Sequence, residues 1–286
     1  MTCPLAWPGP NPNPLGIRAF DFADMRVRIP FTTRPARCAA VVISLSLCLC
    51  CGGAAATKRP LILPGVGLQT LVPGVSSAGV PVLNRIGAPV QVVFLGDSYT
   101  YGIGATQRSN GYAYLVSEAL HWDVDIIGLP GSGYTRVAKD DGLSIAAGIA
   151  PAIEAQPQVL IVECGHNDAD PGISLATTRS NALTDLRTLR TGLPTTTIIV
   201  LGPVWLNGRP TPRALAVAQA VHAAQEQIPG SLWINPITEK WFTGRFVNRS
   251  GDDATMINYR VGHPNNLGYE HIAQVLEADL ATLQIT

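Results

Sequence analysis

Short, uniformly apolar segments alternate with longer amphipathic segments from residue 90 to the end of the chain. The apolar runs predict buried strands at residues 90–95, 124–129, 158–164, 195–202 and 231–236. The amphipathic segments predict helices at residues 111–122, 142–155, 175–190, 211–228 and 266–283. Apolar strands separated by helices are typical of a parallel sheet that is covered on both faces. The pattern therefore predicts an α/β fold, a three-layer α/β/α sandwich with a central parallel sheet of roughly five strands and right-handed crossovers.

The start of the chain has a different pattern, which predicts a secretion signal. Residues 26–37 are basic without any acid, residues 38–51 are apolar, and small residues follow as far as Ala56. A basic region, an apolar region and an A-x-A site are typical of a secretory signal, so we expect cleavage after Ala56. The apolar run is shorter than the roughly 20 residues of a membrane span, and an uncleaved membrane anchor is the alternative interpretation.

These segments divide the chain into three parts. Residues 1–56 are interpreted as an N-terminal extension and secretion signal, with Met25 as the expected true start. Residues 57–89, rich in Pro, Gly and Val, are expected to form an extended lead-in. Residues 90–286 form the predicted folded domain. We expect a secreted or envelope-associated bacterial protein, with any contact to the membrane or cell envelope made through the N-terminus.

Composition excludes several classes of function. Lys+Arg and Asp+Glu are both 20, so the chain lacks the basic surplus of a nucleic-acid-binding protein. No nucleotide-binding glycine motif follows a predicted strand, and Cys and His residues do not have zinc-site spacing. We therefore predict no cofactor, no metal and no nucleic-acid partner. Cys164 is the one cysteine beyond residue 51, and we interpret it as a small buried residue.

Three polar loops follow predicted strands at residues 96–98, 131–133 and 165–168. Because the carboxyl ends of parallel strands meet at one edge of a sheet, we expect these loops to converge there. Three nearby side chains have simpler interpretations. Asp97 is expected to brace its loop as a hydrogen-bond acceptor, His166 is expected in a surface loop, and Trp205 either lines a substrate groove or packs in the core.

The loops contain the groups that acyl transfer requires, namely a nucleophile, a base and N–H donors for the oxyanion. Ser98 supplies a hydroxyl, and at the start of a helix its own N–H is unpaired. A glycine loop admits a second backbone donor, Asn167 offers an amide, and His263 lies in a loop before the last helix as the candidate base. The alternative interpretations are a helix cap for Ser98, a turn residue for Asn167 and a structural residue for His263.

Four sequence blocks occur in order over nearly the whole predicted domain: "FLGDSYTYGIG", "GLPGSGYT", "GHNDA" and "HPNNLGYEHIA". Together they resemble the SGNH hydrolases, also called the GDSL esterase/lipase family. The resemblance implies a flavodoxin-like SGNH hydrolase fold with Ser98 as nucleophile and His263 as general base. It also implies an oxyanion hole formed by Ser98, Gly133 and Asn167, with Gly131 as the alternative to Gly133.

One position departs from this family pattern. The family usually has an aspartate three residues before the histidine, where this chain has Arg260. An arginine cannot accept a hydrogen bond from an imidazole N–H. A backbone carbonyl, or a displaced acid such as Asp252 or Asp253, is expected to orient His263 instead; the remaining alternative is an impaired enzyme.

These observations predict a secreted serine esterase that hydrolyses carboxylic esters through an acyl-enzyme. By analogy with the family, the expected substrates carry short acyl chains or acetyl groups on small molecules or glycans, with lipid esters as another class. Two alternatives stay open: an acyltransferase with the same site, and a catalytically impaired module that binds carbohydrate or the cell envelope.

Overall fold

The computed structural model describes residues 26–29, 89–245, 248–251 and 253–285, with residues 26–29 and 253 described as backbone only. All of these residues belong to one compact unit of the chain. The predicted cleavage site and nearly all of the predicted signal and lead-in lie outside the described residues. Within the described part of the chain, no helix has both the length and the apolar character needed to cross a membrane.

The centre of the fold is a six-stranded sheet with the order β1-β3-β2-β4-β5-β6. Its strands are β1 (Arg26–Ile29), β2 (Gln91–Gly96), β3 (Asp123–Gly128), β4 (Val159–Glu163), β5 (Thr197–Leu201) and β6 (Leu232–Ile234). Strands β2 to β6 pair in parallel throughout, which confirms the predicted central parallel sheet of five strands.

The edge strand β1 was not predicted. It pairs antiparallel with β3, with Arg26 opposite Ile127 and Ile29 opposite Val124. The segment reads Arg-Val-Arg-Ile, and this alternation of polar and apolar residues has the period of two that suits a strand. Sequence analysis placed the same residues in the basic region of a secretion signal, and the function of that signal stays a prediction.

Seven α-helices are described around the sheet. They are α1 (Ser98–Tyr101), α2 (Tyr112–Ala119), α3 (Ile149–Glu154), α4 (Leu175–Gly192), α5 (Pro212–Gln225), α6 (Asp253–Met256) and α7 (Asn266–Thr282). The helix predicted at residues 142–155 is instead a 3₁₀ turn, Ile145–Gly148, followed by the short α3. Pro151 has no N–H, and its ring would clash with the carbonyl of residue 147, so Pro151 is tolerated in the first turn of α3 but a regular helix cannot continue a full turn before it.

The strands bury alternate residues on the two faces of the sheet, which produces two apolar clusters. Phe94 and Ile161 face the cluster that is covered by α2 and α7. Leu95 and Leu160 face the opposite cluster, which is covered by α3, α4 and α5. Each fully buried aliphatic or aromatic side chain contributes roughly 1.5–3 kcal/mol to folding, so the two clusters hold the sheet rigidly in place. This arrangement is the predicted α/β/α sandwich.

The order of the strands determines where a site forms. Strand β2 is central, the next strand β3 lies on one side of it, and β4 lies on the other side. Such a reversal opens a crevice at the carboxyl ends of the strands. A short hairpin that was not predicted, formed by β7 (Ile257–Asn258) and β8 (His263–Pro264), precedes α7 and carries His263.

Candidate active site

The turn after β2 fixes Ser98 at the first position of α1. Asp97 caps this helix, because its carboxylate accepts a hydrogen bond from the Tyr99 N–H at 2.9 Å. Asp97 is fully buried and Ser98 is only 7% exposed. The bracing role that sequence analysis gave to Asp97 matches this geometry. Ser98 follows the cap and does not itself cap the helix.

His263 lies between Ser98 and a backbone carbonyl. Its Nε2 is 2.8 Å from the Ser98 Oγ, and its Nδ1 is 2.7 Å from the Val261 carbonyl oxygen. A carbonyl oxygen only accepts, so Nδ1 carries the proton and Nε2 is left with a lone pair facing the serine hydroxyl. Burial lowers the pKa of His263 from 6.5, while the hydrogen bond to Val261 opposes this shift. The imidazole is therefore neutral near pH 7 and can accept a proton.

The chain between Val261 and His263 reverses at Gly262. This glycine has a φ of 69°, in the left-handed region that residues with a Cβ adopt at a cost. The reversal brings the Val261 carbonyl round to the imidazole two residues later. Exposed Arg260, at the position of the family's usual aspartate, donates its backbone N–H to the Asn258 side chain at 3.2 Å.

The acceptor for His263 is therefore the backbone carbonyl that sequence analysis proposed as one alternative. The other alternative was a displaced acid. Asp252 lies outside the described residues, and the side chain of Asp253 is also not described, so the structure does not test them.

The amide of Asn167 reaches the same turn from the loop after β4. Its Nδ2 donates to the Asp97 Oδ2 at 3.2 Å and to the Ser132 carbonyl at 2.8 Å. These bonds tie together the loops after β2, β3 and β4, as the expected convergence requires. They also engage both hydrogens of the amide that was expected to serve the oxyanion.

Gly133 is also engaged in the structure. Its N–H donates to the Arg136 carbonyl at 2.9 Å and is not free to meet an oxyanion in this state. A Cβ on Gly133 would lie 2.6 Å from the Asp168 carboxylate, so packing alone requires glycine here. The N–H of Gly131, the alternative donor, has no acceptor among the described residues. The Ser98 N–H likewise has none within this part of the chain.

A second carboxylate holds the loop after β3. Buried Asp168 accepts the backbone N–H groups of Tyr134, Thr135 and Arg136 at 2.8, 2.8 and 2.9 Å. Three N–H bonds satisfy a charge that burial would otherwise make costly. Asp168 thereby fixes the glycine loop relative to Asn167, its neighbour in the chain.

Two buried carboxyl groups lie beneath the nucleophile turn. Glu163 ends β4 and is fully buried, as Asp97 is. Burial is the largest cause that raises both pKa values, that of Asp97 to about 7 and that of Glu163 well above its usual 4.5, and the charge of Asp97 raises the pKa of Glu163 further. The Glu163 carboxyl accepts a hydrogen bond from the Thr100 hydroxyl at 3.1 Å, and Thr100 is 2.7 Å from the Tyr112 hydroxyl. The pair therefore favours a state in which it retains a proton.

Four rings pack one against the next from His263 outward, and the last three of them line a cavity. The Tyr99 ring lies 5.3 Å from His263 and 5.2 Å from His166, and His166 lies 4.9 Å from Trp205, measured between ring centroids. The prediction of a surface loop for His166 was wrong, since its ring is half-buried between two other rings. Trp205 lines the cavity and belongs to neither apolar cluster, and the predicted role of this wall in binding a substrate stays a prediction.

Comparison with known proteins agrees with this fold. The parallel sheet of five strands covered by helices matches the structures of SGNH hydrolases. Residues 94–271, more than half of the chain, match the model of the GDSL-like Lipase/Acylhydrolase family, and the chain belongs to that family. No curated protein sequence matches it.

Several solved structures share the fold. A family two carbohydrate esterase from Clostridium thermocellum, solved with cellohexaose, has 16% identity and a TM-score of 0.52, over 70% of this chain and 66% of that one. A family 3 carbohydrate esterase from the same organism has 16% identity and a TM-score of 0.51, over 68% and 97%. A lipase/acylhydrolase from Enterococcus faecalis has 18% identity and a TM-score of 0.50, over 67% and 95%.

Sequence reasoning missed Glu163 and Thr100, and it expected a backbone carbonyl beside His263 without identifying the one of Val261. A signal existed for Glu163, because it is the one acid within the apolar run "QVLIVEC". Every residue has a main-chain carbonyl, so residue types do not indicate which carbonyl contacts His263.

The buried carboxyl pair predicts a pH-dependent stability. The pKa of Asp97 rises from 3.8 to about 7 on folding, so between these pH values the folded state binds more protons than the unfolded state. The free energy of unfolding should fall as the pH rises from about 4 to about 7. Glu163→Gln removes one of the two carboxyl groups that take up a proton on folding, so the melting temperature of this variant should fall less than that of the wild type between pH 4.5 and 8.

Calorimetry across this pH range measures the difference. Exposed Glu226→Gln is the matched control and should follow the wild type. Buried Asp185, whose pKa burial also raises to about 7, gives the same background slope in every variant. Parallel profiles for the wild type and Glu163→Gln would contradict the account of the pair.

Proposed function

We propose that this protein is a serine ester hydrolase that cleaves carboxylic esters through an acyl-enzyme on Ser98. The observation that carries this proposal is the hydrogen-bonded path from Ser98 Oγ through the His263 ring to the Val261 carbonyl. A hydroxyl is a weak nucleophile until a base within hydrogen-bond distance removes its proton. The geometry supplies that base in the correct tautomer.

The acylation step follows from this geometry. The Ser98 Oγ attacks the ester carbonyl carbon while the His263 Nε2 takes the hydroxyl proton. The resulting imidazolium keeps its Nδ1–H bond to the Val261 carbonyl, which favours the positive charge. When the tetrahedral intermediate collapses, the bond to the leaving oxygen breaks and Nε2 returns its proton to the departing alcohol.

Deacylation repeats these steps with water. His263 takes a proton from a water molecule, whose oxygen attacks the acyl carbon, and then returns the proton to the Ser98 Oγ. A carboxylic acid leaves. An alcohol in place of water would give acyl transfer, which measurement of the carboxylic acid released per ester consumed distinguishes from hydrolysis.

The oxyanion of each tetrahedral intermediate requires N–H donors. We assign this role first to the Ser98 N–H, which lacks an acceptor among the described residues. Asn167 contributes when its amide exchanges the Ser132 or Asp97 oxygen for the oxyanion. In the glycine loop, the N–H of Gly131 has no acceptor among the described residues and is available to contribute, whereas that of Gly133 is bonded to Arg136.

We further propose that the substrates are short-chain or acetyl esters, including those on glycans, and that the protein acts outside the cytoplasm. Likeness in fold to two carbohydrate esterases supports the first statement. The basic and apolar segments between residues 26 and 51 support the second.

Loss of the nucleophile or the base should abolish ester hydrolysis. With the full chain and p-nitrophenyl esters of graded chain length, Ser98→Ala and His263→Ala should each lower kcat/KM by at least about 10³-fold. Ser180→Ala, at an exposed position in α4, is the control and should leave the rate unchanged. Retention of activity in folded Ser98→Ala would refute the mechanism.

Arg260 should not matter for catalysis, whereas the reversal at Gly262 should. We expect Arg260→Ala to keep kcat/KM within about twofold, because the Val261 carbonyl orients the imidazole and the Arg260 side chain does not. Gly262→Val should lower kcat by more than about tenfold, since a β-branched residue is strained at a φ of 69° and displaces the Val261 carbonyl. A large rise in activity on Arg260→Asp would show instead that the carbonyl orients His263 poorly.

The acidic limb of the pH–rate profile should report His263. Because burial lowers its pKa from 6.5, kcat/KM should fall only below pH 6.5, as the imidazole gains a proton and can no longer act as base. Glu163→Gln should not change the pH at which this limb is centred. That result would show that the limb reports His263 and not the carboxyl pair. A limb centred above pH 6.5 in both proteins would contradict the environment described for His263.

A further inference from the structure

A cavity of about 210 Å³ lies beside the Ser–His pair. It is lined by Tyr99, His166, Trp205, Leu206, Asn207 and Gly262. Tyr99 follows the nucleophile in the chain, and Gly262 precedes the base. None of the catalytic roles given above uses His166, Trp205 or Asn207.

The cavity lies on the side of the base. The Tyr99 ring packs against the rings of both His263 and His166, so one ring separates the imidazole of the base from the His166 wall of the cavity. During acylation the leaving oxygen must be near the His263 Nε2 to receive its proton. An alcohol group leaving next to His263 would thus lie close to this cavity, because Gly262 and Tyr99 line it and adjoin the base and the nucleophile in the chain.

The walls combine an aromatic face with two neutral polar groups. Trp205 and His166 supply the face, with their ring centroids 4.9 Å apart. The His166 Nδ1 donates to the Val204 carbonyl at 2.9 Å, which leaves Nε2 as an acceptor. Burial lowers the pKa of His166 to about 4, so the ring is neutral near pH 7.

Asn207 adds a hydrogen-bond donor. Its Oδ1 accepts the Arg209 N–H at 3.0 Å, and its Nδ2 donates to no acceptor among the described residues. None of the lining residues carries a cationic side chain near pH 7, so the cavity has no partner for a carboxylate or a phosphate. An alkyl chain would leave the His166 Nε2 and the Asn207 amide buried without partners, which is unfavourable.

We propose that this cavity binds the alcohol portion of the ester as a neutral sugar ring. The C–H face of a pyranose covers the Trp205 ring, and its hydroxyls pair with the His166 Nε2 and the Asn207 amide. This inference rests on the proposed function for its placement of the alcohol, and it narrows the substrates to esters of a sugar.

Kinetics with a constant acyl group tests this inference. Methyl 6-O-acetyl-glucopyranoside and ethyl acetate share the acetyl group and differ only in the alcohol. Trp205→Ala should lower kcat/KM for the sugar ester at least about tenfold more than for ethyl acetate, mainly through KM. Trp205→Phe, which keeps an aromatic face, should recover part of the loss, as expected for ring packing.

His166→Phe separates packing from hydrogen bonding, because it keeps a ring and removes the acceptor. It should again raise KM selectively for the sugar ester, in protein shown to be folded by its melting temperature. Equal losses on both esters for both variants would overturn the inference. A loss that grows along ethyl acetate, butyrate and octanoate would also overturn it, since the cavity would then hold the acyl chain.

A binding measurement keeps this test independent of turnover. Saturation-transfer NMR should detect methyl glucopyranoside on the Ser98→Ala protein and a weaker signal on Ser98→Ala with Trp205→Ala. Binding that requires Trp205, without hydrolysis of any ester, would support the cavity and refute the proposed function. Hydrolysis of ethyl acetate without sugar binding or sugar preference would leave the proposed function standing and overturn the cavity assignment.

Discussion

The orientation of one imidazole ring by a backbone carbonyl is the interaction on which the rest of this site depends. The Val261 carbonyl fixes the proton on the His263 Nδ1 and thereby leaves the Nε2 lone pair facing the Ser98 hydroxyl. In the wider family a side-chain acid usually has this task, and Arg260 occupies its position here. Because the acceptor is a main-chain oxygen, its position depends on the turn of the β7–β8 hairpin. It does not depend on the side chain of residue 260.

Hydrogen bonds from buried side chains hold the loops around the nucleophile, and the burial of some of these side chains costs stability. Asn167 ties the nucleophile turn to the loop after β3, and Asp168 holds that loop through three backbone N–H groups. Beneath them, Asp97 and Glu163 are buried close together with raised pKa values. Such a pair is unfavourable when both groups are charged. Strongly shifted pKa values of this kind are generally concentrated at functional sites. The apolar clusters on both faces of the sheet compensate for this cost.

Much of the fold followed from the sequence because its strands are apolar on both faces and its helices are amphipathic. The convergence of the Ser98 turn with two other loops followed from the position of each loop directly after a predicted parallel strand. The edge strand β1 was missed because residues that alternate in polarity there also resemble the basic part of a signal. The hairpin that carries His263 has strands of only two residues, too short to produce a pattern. The engagement of the Gly133 N–H by Arg136 depends on the path of the loop, which residue types do not specify.

The central claim is that His263, oriented by the Val261 carbonyl, activates Ser98, and covalent labelling tests it most directly. The protein is treated with a fluorophosphonate probe at pH 7.5, and the modified residue is identified by mass spectrometry of its peptides. The account predicts one adduct, on Ser98, that forms at the same rate in the wild type and in Arg260→Ala but not in His263→Ala. An unlabelled, folded wild-type protein, or labelling of Ser98 that persists without His263, would contradict it.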